Sequence, residues 1–338
     1  MDETPSGRKK TGRTVLISFA AVVVIAALVA GGYVFSLVQS YKDNVTVMES
    51  AFPEESTRPT ATGSGDSKAV NVLLLGSDTR GAGVTDTTAS GSSDQRSDTM
   101  ILVHIPADRK HIYGISIMRD LWVDIPGHGQ AKMNAALAFG GIPLVVQTVE
   151  QLLKSRIDHV AIVDFEAFKG VTEALGGIEV NVKEPFTAGQ FNYPAGKQTL
   201  SGDKALAFAR ERHAFTDGDY QRVRNQQALI KGVIAKLRDK GTLSNPGKLQ
   251  SLVSTLSPYL TVDKGLDAGT IASLGVSVAG VGAADTKFFT LPTGGVGTSA
   301  DGQSIVLLDE TGTKAVSDAL VNDKLDEYVA TTKVDSGN

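Results

Sequence analysis

The chain is expected to be an α/β protein: an α-β-α sandwich around a central mixed sheet, preceded by one N-terminal transmembrane helix. Three observations predict this. From Ala69 onward, short β-branched apolar runs alternate with stretches of helical period. VNVLLLGSDTR (Val70–Arg80), RSDTMILVHI (Arg96–Ile105) and HIYGISIMRD (His111–Asp120) read as three strands, and the turn Pro106–Lys110 is short enough to join the last two as an antiparallel hairpin. Ahead of them, Thr14–Val38 carries no charge and is long enough to cross a hydrocarbon layer of about 30 Å.

Taken in order, residues 1–13 form a tail whose Arg8, Lys9, Lys10 and Arg13 place the N-terminus in the cytosol and the rest outside the cytoplasmic membrane. The uncharged stretch exceeds a usual signal-peptide core and no small-residue cleavage site follows, so residues 14–38 read as an uncleaved anchor. Residues 39–68 read as an extracytoplasmic stalk and linker, with Pro, Ser, Thr and Gly concentrated over Ala51–Ser67. No composition break divides residues 69–330, which are expected to form one domain, followed by a tail over residues 331–338. Strands are predicted at Val70–Leu75, Thr99–Ile105, Ile112–Met118, Ile157–Val163, Ile178–Val182 and Lys287–Leu291. Helices are predicted at Lys132–Phe139, Pro143–Lys154 (Pro at its first position), Glu166–Leu175, Ser201–Phe208, Asp219–Asp239, Pro246–Leu256, Gly269–Val278 and Thr313–Val321.

Composition excludes several chemistries. Cysteine is absent, which rules out disulfides, thiolate catalysis and Cys-ligated metals. Setting aside the four Lys/Arg and two Asp/Glu of the first 13 residues leaves 29 basic and 35 acidic residues outside, net −6, a poor balance for binding nucleic acid. The five histidines show no paired metal-ligand spacing, and no GxSxG, Walker A or HExxH motif occurs.

Chemistry concentrates at strand ends. A turn centred on Asp108 and Arg109 puts Asp98 opposite Arg119, while Asp78 closes the first strand and the loop Thr79–Ser97 brings the chain back to Asp98. Asp78, Asp98, Arg80, Arg96 and Arg119 thus share one sheet rim. Paired aspartates facing arginines suit Mg2+ (or Mn2+), which takes one or two carboxylates, waters and phosphate oxygens. Turn residues or an ion-pair network would account for the same residues without a ligand. Lys132 and Asn134 are placed at a helix start, where backbone N–H groups and a cation can hold phosphate. Arg210 and Arg212 share a face only if extended, so the preceding helix is ended near Phe208. Asp219, Arg222 and Gln226 follow along one face of the next helix. Arginine forks grip phosphate or carboxylate bidentately. The apolar helices Leu137–Phe139, Val145–Leu153 and Phe165–Leu175 suit a core or the wall of a long apolar pocket equally.

Together, VNVLLLGSDTR, RSDTMILVHI, ISIMRDLWVDIPG, KMNAALAFGG, VDFEAFKGVTEALGGIEVNV, LSGDKALAFARER and DYQRVRNQQ, in this order, resemble the LytR-CpsA-Psr family of bacterial cell-envelope proteins over about Ala69–Leu237, and more weakly to Tyr328. The resemblance implies a hydrophobic tunnel for a polyprenyl-pyrophosphate-linked glycan, with the pyrophosphate at an arginine-rich mouth and peptidoglycan as acceptor. By position, Asp78 and Asp98 match the family's metal-associated aspartates. Arg96, Arg119, Arg210, Arg212, Arg222 and Gln226 match its pyrophosphate positions, and Arg80 and Lys132 match neighbouring ones. Met118 stands where proline is common, and Asn225 where many members carry arginine.

The implied reaction is transfer of an arabinogalactan, teichoic acid-like or capsular polymer to peptidoglycan through a phosphodiester, with release of polyprenyl phosphate. Asp98 and Arg119 are the expected catalytic residues. Charge stabilisation by a metal and arginines suffices for such phosphoryl transfer. A polyprenyl-pyrophosphate hydrolase would use the same arginines with water as acceptor. A non-catalytic lipid-glycan carrier would not need the paired aspartates, and a transcriptional attenuator would need a basic helix-turn-helix that the sequence lacks.

Overall fold

The structure, a computed structural model, describes residues 31–60, 68–77, 97–239, 241 and 245–335, without the side chains of residues 97 and 98. Its centre is a seven-stranded mixed sheet in the order β1-β12-β7-β2-β3-β4-β13. These strands are β1 (Thr46–Val47), β2 (Val70–Ser77), β3 (Ser97–Ile105), β4 (Ile112–Ile117), β7 (His159–Asp164), β12 (Leu260–Val262) and β13 (Thr286–Thr290). Central β2 is buried at nearly every position, as a strand covered on both faces must be. The predicted β3–β4 hairpin is present, with Met100 paired to Ile117 and His104 to Tyr113. Extending that register by two residues puts Asp98 across from Arg119. Gly114 lets Phe288 of the neighbouring strand lie flat on β4: a Cβ there would come within 2.2 Å of the ring.

One helical layer covers the sheet with α2 (Ala135–Leu153), whose Val145, Val146, Val149 and Leu153 join Leu73, Leu75, Leu102 and Ile115 in the main core. This is also the one helix among the described residues that is long and apolar enough to cross a membrane; its place in the core explains that composition. The two helices expected over this stretch are segments of one element broken at Gly140 and Gly141, whose backbones are not helical. The first segment starts later than expected. Lys132 does not open a helix; it ends a hairpin made by β5 (Trp122–Ile125) and β6 (Gly129–Lys132). Gly127 (φ 78°) and Gly129 (φ 71°) supply the left-handed turn the hairpin needs.

A second cluster packs α3 (Phe165–Ala174), α4 (Gly202–Arg210), α5 (Asp219–Arg238) and α6 (Pro246–Leu256) around β8 (Ile178–Val182), β9 (Phe186–Ala188), β10 (Phe191–Tyr193) and β11 (Gly196–Leu200). Helix α7 (Ala268–Ser277) lies over β2 and β3 through Leu274. The chain then forms β14 (Thr293–Thr298), β15 (Ser304–Leu308), α8 (Glu310–Val321) and α9 (Leu325–Thr331). The extra hairpins β5–β6, β9–β10 and β14–β15 were not predicted; their strands are at most six residues long, too short for a period to stand out.

The segment read as stalk and linker is part of the fold as far as residue 60. A helix described over residues 31–44, α1, leads into β1, which pairs with β12 at the sheet edge. Met48 and Ala51 are buried in the main core. Arg58 donates to both carboxylate oxygens of Glu150, from Nη2 to Oε1 at 2.7 Å and from Nε to Oε2 at 3.3 Å, both side chains nearly inaccessible. The terminal residues are also engaged: Asp335 accepts from the Thr290 amide at 3.0 Å. Breaking a buried pair strands the remaining charge. Arg58→Ala is therefore expected to cost about 3 kcal/mol in urea denaturation, and an unchanged midpoint would show the segment to be loosely attached.

Candidate functional site

The rim of the sheet where β2 and β4 end carries a cavity of about 810 Å³. Arg119, one residue past β4 and its neighbour Met118, reaches it, with Asp120, Lys132, Asn134, Arg212 and Asp219. Asp219, the first residue of α5, organises the charges. Its Oδ1 is 3.2 Å from Arg222 Nη2 and 3.6 Å from Arg212 Nη1, and its Oδ2 is 3.3 Å from Arg119 Nε. Asp120 bridges Arg119 Nε (3.4 Å) and Lys132 Nζ (3.3 Å). Burial pushes the Asp219 carboxyl up, but Arg222, Arg119, a hydrogen bond with Asp120, and Arg212 outweigh it and hold the group below its ordinary value. Among the described residues, Arg119, Arg212, Arg222 and Lys132 thus gather around Asp120 and Asp219, and guanidinium groups held this way can grip an anionic oxygen.

Backbone geometry holds these groups in place. The Asn134 amide donates to the Arg119 carbonyl (3.0 Å) and the Met133 amide to that of Leu121 (2.8 Å). Those N–H groups are occupied, so Lys132 meets the site through Asp120 and not through a helix start. The Val306 amide donates to the Asp120 carbonyl (2.9 Å), which seats β15 beside the site.

The other predicted residues divide. Arg210 is helical, the last residue of α4 and not part of an extended segment; its guanidinium lies 5.4 Å over the Phe165 ring. Extended backbone begins at Glu211, which turns Arg212 to Asp219. Gln226 is buried, and its amide donates to the Ala209 carbonyl at 3.4 Å, so it positions the end of α4. Asn225, also buried, donates to the Phe208 carbonyl at 3.2 Å; an arginine would have to displace that contact. Asp78, Arg80 and Arg96 lie outside the described residues, as does the Asp98 side chain. The described backbone brings the end of β2 to the start of β3: Gly76 pairs with Thr99 and Ser77 with Ser97, and the register shift between these pairs leaves Asp98 as the extra residue of β3. Among the described residues no group of three or more His, Asp or Glu side chains forms a metal cluster. Asp120, within the motif MRD, was not assigned to the site from sequence, and Asp219 was placed only on one helix face with Arg222 and Gln226; nothing in either motif signalled that their partners would include distant arginines.

The LytR_cpsA_psr family model matches residues 34–322. The chain belongs to this family. Among LytR-CpsA-Psr relatives, the polyisoprenyl-teichoic acid–peptidoglycan teichoic acid transferase TagU of Enterococcus faecalis is 35% identical over 198 residues, 58% of this chain and 62% of TagU. The cell wall biosynthesis protein LcpA of Corynebacterium glutamicum is 27% identical over 281 residues, 71% of this chain and 53% of LcpA. The chain therefore spans less than two thirds of either relative's length. The crystal structure of B. subtilis TagT matches with TM-score 0.60 at 25% identity, covering 80% of this chain and 98% of that one. TagT bound to LIIa-WTA matches with TM-score 0.63 at 26% identity, covering 81% and 99%.

A carboxyl with a depressed folded value adds stability above its unfolded pKa and loses it as the pH falls. Asp219 should therefore contribute fully above about pH 4, and less as the pH falls through its lower folded value. Urea unfolding from pH 2.5 to 5 is expected to show a steeper loss in the wild type than in Asp219→Asn; parallel curves would contradict the ionised hub.

Proposed function

We propose that this protein is a phosphotransferase that moves a glycopolymer from a polyprenyl-pyrophosphate carrier to peptidoglycan and releases polyprenyl phosphate. The observation that carries this is the Asp219-centred cluster at the sheet rim, in which Arg119 and Arg212, joined through Asp120 to Lys132, line a cavity and buried Arg222 backs Asp219. Relatives named as teichoic acid transferases to peptidoglycan support the reaction class.

In this reading, a peptidoglycan hydroxyl attacks the glycan-side phosphorus. The new P–O bond makes a phosphodiester, the phosphoanhydride P–O bond breaks, and its electron pair leaves with polyprenyl phosphate. The hydroxyl proton passes to a base at the rim, for which Asp98 is the candidate. Arg119, Arg212 and Arg222 are oriented before substrate arrives, so they stabilise developing charge on phosphate oxygens with little reorganisation. Arg80, Arg96 and Arg210 would extend the same grip. A bound Mg2+ or Mn2+ would neutralise phosphate charge, and Asp78 and Asp98 would hold it, a reading supported by the pairing of Ser77 with Ser97, which brings the end of β2 beside the start of β3.

The polyprenyl chain would lie between α2 and the sheet, an apolar layer running from Ala135 at the cavity toward Leu153. Side chains fill this layer tightly, Leu73 and Ile115 having no exposed surface. Residues 14–38 would anchor the protein in the cytoplasmic membrane with the domain outside, where both carrier and peptidoglycan are reached.

Arg119→Ala is expected to lower transfer from a polyprenyl-pyrophosphate glycan about a hundredfold, judged by the loss of one charge-stabilising donor. Lysine should restore little, since it keeps the charge but not the planar fork. A variant that melts like wild type and retains full turnover would remove Arg119 from the reaction. Stimulation by magnesium should vanish in Asp78→Ala and in Asp98→Ala; equal stimulation in wild type and both variants would reject them as metal ligands.

A further inference from the structure

We propose that Phe139, backed by His128, is a stacking platform for a sugar ring of the transferred glycan, a subsite that rests on the phosphotransferase reading above. Phe139 is a large apolar side chain left 45% exposed, and it lines the same cavity as Arg119, Lys132 and Arg212. One ring face is covered by His128, with centroids 4.7 Å apart and planes within 14°. An aromatic ring stacked on one side and lining a charged cavity has a free face at a binding site. A sugar presents an apolar C–H face ringed by hydroxyls, and the same cavity offers Gln303, Ser304 and His213 to meet those hydroxyls. Aromatic faces near polar groups are the common composition of small-molecule sites.

Two local devices fix the platform. The turn between β5 and β6 is held open by Gly127 and Gly129, both at positive φ, and carries His128 between them. Trp122 Nε1 donates to Gln130 Oε1 (3.2 Å) across the hairpin, restraining the strand that follows His128. On the other side, helical backbone stops at Gly140, one residue past Phe139. A Cβ at Gly140 would meet Leu144 at 2.7 Å, so the break keeps its geometry only with glycine there. The cavity of about 810 Å³ is large for a diphosphate alone and has room for the first sugar beside it.

The test uses the full chain in detergent and two probes, a polyprenyl pyrophosphate and the same lipid bearing a β-linked N-acetylglucosamine disaccharide. Phe139→Ala should weaken the sugar-bearing lipid about tenfold and leave the bare lipid unchanged, while Phe139→Trp retains both. His128→Ala, which acts through Phe139, should lose part of the same sugar-dependent increment with no change for the bare lipid. Unaltered affinity for the sugar-bearing lipid in Phe139→Ala, or equal losses on both probes, would overturn the platform. If wild type binds neither lipid, the phosphotransferase reading fails, and the platform is judged on the free disaccharide by NMR. Saturation transfer to the sugar that disappears in Phe139→Ala supports it, and no transfer in wild type overturns it.

Discussion

The site depends on one carboxylate. Asp219 sits where β4, the end of α4 and the start of α5 converge, and it meets a guanidinium from each: Arg119, Arg212 and Arg222. Three like charges at one rim would repel each other and scatter into solvent without a shared counterion. A half-buried carboxylate that stays ionised gives them a common partner and a fixed arrangement. Asp120 repeats the device for Lys132.

Buried amides on α5 supply the second constraint. Asn225 and Gln226 hold the carbonyls of Phe208 and Ala209 at the end of α4. Gln227 reaches the sheet, donating to the Ser116 hydroxyl at 2.9 Å and more weakly to Thr290 at 3.4 Å. One turn of α5 therefore ties the arginine-bearing end of α4 to β4 and β13. Inside a protein such hydrogen bonds are costly to leave unmade, so the turn has little freedom to shift. This explains why a run of polar residues, Asn225–Gln227, lies buried, although sequence pattern alone assigns polar residues to solvent.

Much of the frame was legible in the chain itself. β2, the β3–β4 hairpin and its register, β8, and helices α3, α5 and α6 lie where apolar periodicity, turn chemistry and proline put them. The register mattered most: the short turn at Pro106–Lys110 carries Asp98 to the level of Arg119 by counting alone. The Gly140–Gly141 break was equally readable, as a gap between two helices. Residues 46–58 were misread, because Pro, Ser and Thr describe a linker by composition and say nothing of the burial of Met48 or the Arg58–Glu150 pair. Lys132 was misplaced because GHGQAK contains too few apolar residues to reveal a strand.

The sequence by itself determined five of the seven strands of the central sheet, β2, β3, β4, β7 and β13, since strand period, turn length and local spacing are properties of neighbours along the chain. Only the tertiary structure decided how those residues are used. That Gln226 supports a helix end, that Arg210 covers Phe165, and that Asp219 joins Arg119 across a hundred residues depend on where separate elements meet. Such meetings follow from packing and from the cost of leaving a charge unpaired, and neither is recorded in the order of residues within any one segment.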